Sequence, residues 1–81
     1  MNSKQYMQKV RELGCLICSA PASAHHIREE RIKNDWLTIP LCPEHHLGDF
    51  SIHKSKWQFE NIYGDELQLL ALTLEKINNI N

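Results

Sequence analysis

"PLCPEHHLGDFSIH", residues 40–53, carries a cysteine, two adjacent histidines, an acid and a third histidine. Upstream, "CLICSAPASAHH", residues 15–26, supplies two more cysteines and a second histidine pair. All three cysteines and all five histidines lie between positions 15 and 53. Cys15, Cys18, Cys42 and His45 form the pattern C-x2-C, a gap of 23 residues, then C-x2-H. Those spacings suit a structural zinc, which takes four soft ligands in a tetrahedron. A tight knuckle closed by Pro21 presents the first pair. The second pair, at i and i+3 on one helical turn, shares a face. The set uses every cysteine, so the odd count needs no disulfide.

The bulk composition agrees with a metal staple. Eighty-one residues make one domain with a limited core, and chains of this size often need such a staple. No leader segment is evident, and the longest apolar run, "LQLLALTL", is too short to span a bilayer. The expectation is a soluble, intracellular, reduced protein with no membrane partner. Net charge is −1 with histidines neutral, which argues against a protein that grips nucleic acid by charge alone. Bound cations would add positive charge that this count omits.

Local patterns lay out the elements. "SKQYMQKVREL" predicts a helix over 3–13, with Ser3 as N-cap, Gly14 at its end and a stripe of Tyr6 or Met7, Val10 and Leu13. "ASAHHI" and "WLTIPL" predict the strands of a hairpin, joined by a polar loop "REERIKND". A short helix should start at "CPEHH", since proline suits its first position, and end near Gly48. Helices over 55–63 and 66–79 should follow. The first turns Trp57 or Phe59, Ile62 and Tyr63 inward; the second, capped by Asp65, turns in Leu67, Leu70, Ala71, Leu74 and Ile77. Trp36 and Trp57 read as core residues rather than base-stacking platforms. The fold class is α+β, with the motif core over about residues 14–54.

Four histidines remain: His25, His26, His46 and His53. Neighbours on a strand point to opposite faces, so His25 and His26 should take different tasks. Neighbours on a helix lie about 100° apart, so His46 should turn away from the zinc that His45 holds. His25 and His46 would then hold a second, catalytic cation, with His26 beside it as general base. A cation that binds a phosphate oxygen and stabilises a leaving alkoxide completes a phosphodiesterase.

In order and spacing, "CLIC", "AHHI", "IPLC" and "CPEHH" resemble the HNH, or ββα-metal, endonuclease family in its zinc-stapled, treble-clef-like form. With "IH" and "KWQFENIYG" the likeness is to small phage and prophage members. Among these is the nuclease domain of the RecA-dependent recombination-enhancement nuclease. It covers roughly residues 10–65. The resemblance implies a hairpin followed by a helix, flanked by N- and C-terminal helices. It implies structural Zn²⁺ on Cys15, Cys18, Cys42 and His45. It makes His25 the first catalytic metal ligand, His26 the water-activating base and His46 the helix ligand. His53 is a metal ligand or a phosphate contact. The catalytic cation would be Mg²⁺ or Mn²⁺, with other divalent ions possible, and the substrate DNA.

The resemblance also implies a bacterial cytoplasmic location, phage or prophage encoding, and a possible RecA-type recombinase filament as partner. The family's central residue, which steadies the loop carrying the base, falls to Asn34 or Asp35. Arg28 and Lys54 are the expected phosphate contacts, with Arg31, Lys33 and Lys56 nearby. His46 and His53 would lie about 10 Å apart on a straight helix, so sharing an ion requires a break near "LGDF". The chain would be a monomer, or a homodimer through the leucine-rich last helix. Two rivals stay open: a non-catalytic zinc-stapled DNA-binding module, and a nuclease active only with a recombinase.

Overall fold

The computed structural model describes residues 1–29, 32–49 and 51–80, with the side chains of residues 28, 29, 32, 33 and 80 outside that description. The order is α1 (Ser3–Glu12), β1 (Ser23–Glu29), β2 (Ile32–Leu41), α2 (Pro43–Leu47), α3 (Lys56–Tyr63) and α4 (Glu66–Ile80). It is a small α+β architecture: one two-stranded antiparallel sheet with helices around it. No helix among the described residues is long and apolar enough to cross a membrane.

Helix α1 starts at Ser3, as expected, but with a different cap. Asn2, not Ser3, is the N-cap: its side chain accepts the Gln5 N–H while the Gln5 side chain accepts the Asn2 N–H, each at 2.9 Å. Tyr6 and Val10 are buried with Ile77 of α4, so the first and last helices share a small apolar cluster. Gly14 ends the first helix at φ 78°, in the left-handed region. A Cβ there would stand 3.1 Å from the Ser19 carbonyl oxygen. The knuckle then closes through Cys15 N–H to Ala20 O (2.8 Å), and Leu16 N–H reaches Pro40 O (3.1 Å). That last bond ties the first cysteine pair to the strand that leads into Cys42.

The hairpin is longer than expected, because strand extends through most of the residues read as a polar loop. Its register runs His25↔Ile39 and His26↔Thr38, then shifts to Arg28↔Lys33. Only Ile27 lies between the two registers on β1, whereas residues 34–37 lie between them on β2. The surplus makes a bulge, which re-aims side chains. Two local bonds pin it. Asn34 Oδ1 accepts the Trp36 N–H at 2.9 Å, an Asx-type turn, and the fully buried Thr38 donates its hydroxyl to the Asp35 carbonyl at 3.1 Å.

The main core gathers Cys15, Ile27, Ile39, Leu41, Cys42, Ile52, Phe59, Leu69 and Leu70. It corrects several inward assignments. Trp57 is 77% exposed and Ile62 70% exposed, leaving Phe59 as the buried residue of α3. Trp36 is half exposed and rests its ring 5.1 Å from that of Tyr6. On α4 the inward face is Leu69, Leu70, Thr73 and Ile77, while Leu67 and Leu74 face out. Thr73 tolerates burial because its hydroxyl donates to the Leu69 carbonyl at 2.9 Å.

Candidate metal centres

The first cluster joins the knuckle after α1 to the start of α2. Cys42 is the N-cap of α2, Pro43 takes its first turn, and His45 follows on the same face. Cys18 Sγ lies 3.6 Å from Cys42 Sγ; His45 Nδ1 lies 3.2 Å from Cys42 Sγ and 3.7 Å from Cys15 Sγ. The four donor atoms all fall within 4.8 Å of one another. A tetrahedron built on Zn–S of about 2.3 Å and Zn–N of about 2.0 Å has edges of roughly 3.5–3.8 Å, close to the separations seen here. The Cys3His set therefore fits a metal such as zinc, and its three cysteines are free of disulfides. Burial pushes the Cys15 thiol up, but hydrogen bonds from the backbone at Cys42, Cys18 and Ile17 outweigh it and bring its pKa down to about 7. A knuckle that stabilises a thiolate is prepared for a cation. Cys18 goes the other way: the Ala20 backbone lowers its pKa, but burial and the Cys42 and Cys15 sulfurs leave it raised.

The second cluster is made of His25, His46 and His53, whose donor nitrogens also lie within 4.8 Å of one another. His25 comes from β1 and is buried; His46 comes from α2. His53 arrives because α2 stops at Gly48 and the chain folds back, with Ser51 N–H to Gly48 O (3.1 Å) and Ile52 N–H to His45 O (3.0 Å). This is the break that sharing an ion requires. It brings His53 Nε2 to 3.0 Å from His46 Nε2. The His25 ring centroid lies 4.9 Å from each of the other two. Burial lowers the pKa of His25, against an upward pull from Glu66; burial and then the neighbouring His25 and His53 lower that of His46. Both shifts favour neutral imidazole, the form that offers a lone pair to a metal.

His26 takes a different partner, as adjacency on a strand requires. Its Nε2 lies 2.8 Å from Asp35 Oδ1, across the bulge. Asn34 thus shapes the turn, and Asp35 meets the histidine. A cleft of about 190 Å³ opens beside these groups, lined by His25, His26, Ile52, His53, Lys56 and Glu66. Lys56 lines it; Lys54 is exposed nearby, its ammonium 3.9 Å from Asp49. The Arg28 and Lys33 side chains, and Arg31, lie outside the described residues.

Glu66 is the residue that sequence reasoning missed. Its Oε2 lies 2.8 Å from His25 Nε2 and its Oε1 3.5 Å from Lys56 Nζ. In sequence it is one more acid in the first turn of a helix, and no local pattern marks it.

Neither a curated protein nor a solved structure matches the chain. A family model described as "Protein of unknown function (DUF968)" matches residues 1–80. By that match over nearly its whole length, the chain belongs to the DUF968 family.

Proposed function

We propose that this protein is a metal-dependent HNH-type endonuclease that hydrolyses DNA phosphodiester bonds, built on a zinc-stapled ββα-metal core. The observation that carries the reading is the meeting of His25, His46 and His53, from a strand, a helix and the turn beyond it. A separately held histidine, His26, stands at the same cleft. A purely structural module needs only the Cys3His set, and a second cluster of donors beside a cleft favours the catalytic reading over it.

In this reading Cys15, Cys18, Cys42 and His45 hold zinc and lock the hairpin to α2. His25, His46 and His53 would hold the catalytic cation, which would supply positive charge for a phosphate oxygen and the departing O3′. Three imidazoles with no carboxylate among them suit a later transition ion better than Mg²⁺. In the neutral ring, Asp35 accepts the Nε2–H of His26 and the lone pair falls to Nδ1. That nitrogen takes a proton from the water attacking phosphorus. Lys56 on the cleft wall and Lys54 at its edge contact backbone phosphates, with Arg28 as a further contact.

The test is cleavage of supercoiled plasmid and single-stranded DNA, with Mg²⁺ or Mn²⁺ restored after mild chelation. Wild type should cut only with the metal. His26→Ala should lose roughly 10²–10⁴-fold in rate, the usual contribution of a general base, while melting at the same temperature. Full activity in His26→Ala would sink the mechanism. If the wild type cuts neither alone nor with a recombinase filament, the protein is a binding module.

A further inference from the structure

Helix α4 lies almost wholly outside the residues that carry the HNH resemblance, yet it places one carboxylate against the three-histidine cluster. Glu66 Oε2 stands 2.8 Å from His25 Nε2, with the two side chains 18% and 6% exposed. The carboxylate is held from several sides. Asp65 and Gln68 cap the helix start reciprocally, with Gln68 N–H to Asp65 Oδ1 and Asp65 N–H to Gln68 Oε1 both at 2.8 Å. Leu69 and Leu70, three and four residues on, are packed in the main core and fix the rotation of that face. Lys56 meets the other carboxylate oxygen at 3.5 Å, leaving Oε2 for His25.

We propose that Glu66 is the positioning residue of the cation site: it accepts the Nε2–H of His25 and so reserves that ring's Nδ1 lone pair for a divalent cation shared with His46 and His53. The inference rests on the reading of those three histidines as a cation site. Its physical basis is general. A neutral imidazole has one N–H and one lone pair, and the partner of the first decides which nitrogen carries the second. A carboxylate in that place also fixes the ring's orientation and raises its basicity, and losing it costs metal affinity about 10–100-fold. Glu66 bonds His25 and is not one of the three clustered donors, so its effect should be on affinity and coordination geometry.

The experiment uses the full chain with zinc already in the Cys3His site, titrated with Co²⁺, whose d–d absorption reports coordination. Wild type should bind one Co²⁺, and His46→Ala should not. Glu66→Ala should weaken Co²⁺ binding about 10–100-fold and alter the d–d band. Glu66→Gln should recover part of the affinity, because its amide oxygen still accepts the His25 N–H. The thermal midpoints of the zinc-loaded Glu66 variants before Co²⁺ is added should match the wild type. If both Glu66 variants bind Co²⁺ with wild-type affinity and spectrum while His46→Ala does not bind, the positioning role is overturned and the three-histidine site stands. If wild type binds no Co²⁺ beyond the zinc site, both readings fall together.

Discussion

At the scale of single residues, the two histidine pairs divide their labour for a geometric reason. His25 and His26 are neighbours on β1, and His45 and His46 are neighbours on α2, so each pair splits between two environments. One member of the second pair joins the Cys3His set and the other joins His25 and His53. His26 instead meets Asp35 at 2.8 Å. If Asp35 keeps the base in the tautomer with Nδ1 free, Asp35→Ala should slow cleavage by less than His26→Ala does. The deficit should stay within the roughly 10²–10⁴-fold that a general base contributes. Co²⁺ affinity at the three histidines should be unchanged. Initial nicking rates for the two variants check the first statement and a Co²⁺ titration the second. A slower Asp35→Ala than His26→Ala would mean that Asp35 acts by another route.

At the scale of elements, what decides the site is how α4 is turned. Its leucines run nearly all round the helix, so apolar spacing alone selects the face of Leu67, Leu70, Ala71, Leu74 and Ile77, of which only Leu70 and Ile77 are buried. The buried face instead runs through Leu69, Leu70, Thr73 and Ile77, with Glu66 one turn before it. The hydroxyl of Thr73 is satisfied inside its own helix, so this rotation buries no orphan group and delivers Glu66 to His25. Leu69→Ala should therefore cost about 2–5 kcal/mol, as for a buried leucine, while Leu67→Ala should stay within about 0.5 kcal/mol. Urea unfolding of the zinc-loaded variants measures both; equal costs would restore the face that the spacing suggests. The β2 bulge is the other element-scale device, since its surplus residues are what bring Asp35 to His26.

At the scale of the whole molecule, a two-stranded sheet is marginal by itself, and the core of an 81-residue chain is small. The Cys3His cluster joins the knuckle, the end of β2 and α2 at one point, so its metal should be part of the folding energy. The three histidines join elements that the core already holds together. Chelation should thus separate the two centres. A mild chelator should abolish cleavage without changing the far-ultraviolet circular dichroism. A strong chelator under reducing conditions should collapse the dichroism and release about one zinc per chain. Simultaneous loss of fold and activity at every chelator strength would mean that the centres are not distinct.

The sequence by itself marked the residues of the two donor clusters, the hairpin and the positions of the helices. Those features are local: C-x2-C and C-x2-H are single turns, caps act over three residues, and alternation reports one strand. Even the break after α2 could be demanded from sequence, because one helix cannot bring His46 and His53 to a single ion. Tertiary structure alone decided the rest. It set Asn34 against the Trp36 N–H and Asp35 against His26 through a register shift. It sent Trp57 and Ile62 outward, turned α4 onto Leu69 and Thr73, and put Glu66 against His25. The physical reason is distance along the chain. His25 and Glu66 stand 41 residues apart. Their contact follows from how α4 packs on the core rather than from any pattern within the helix.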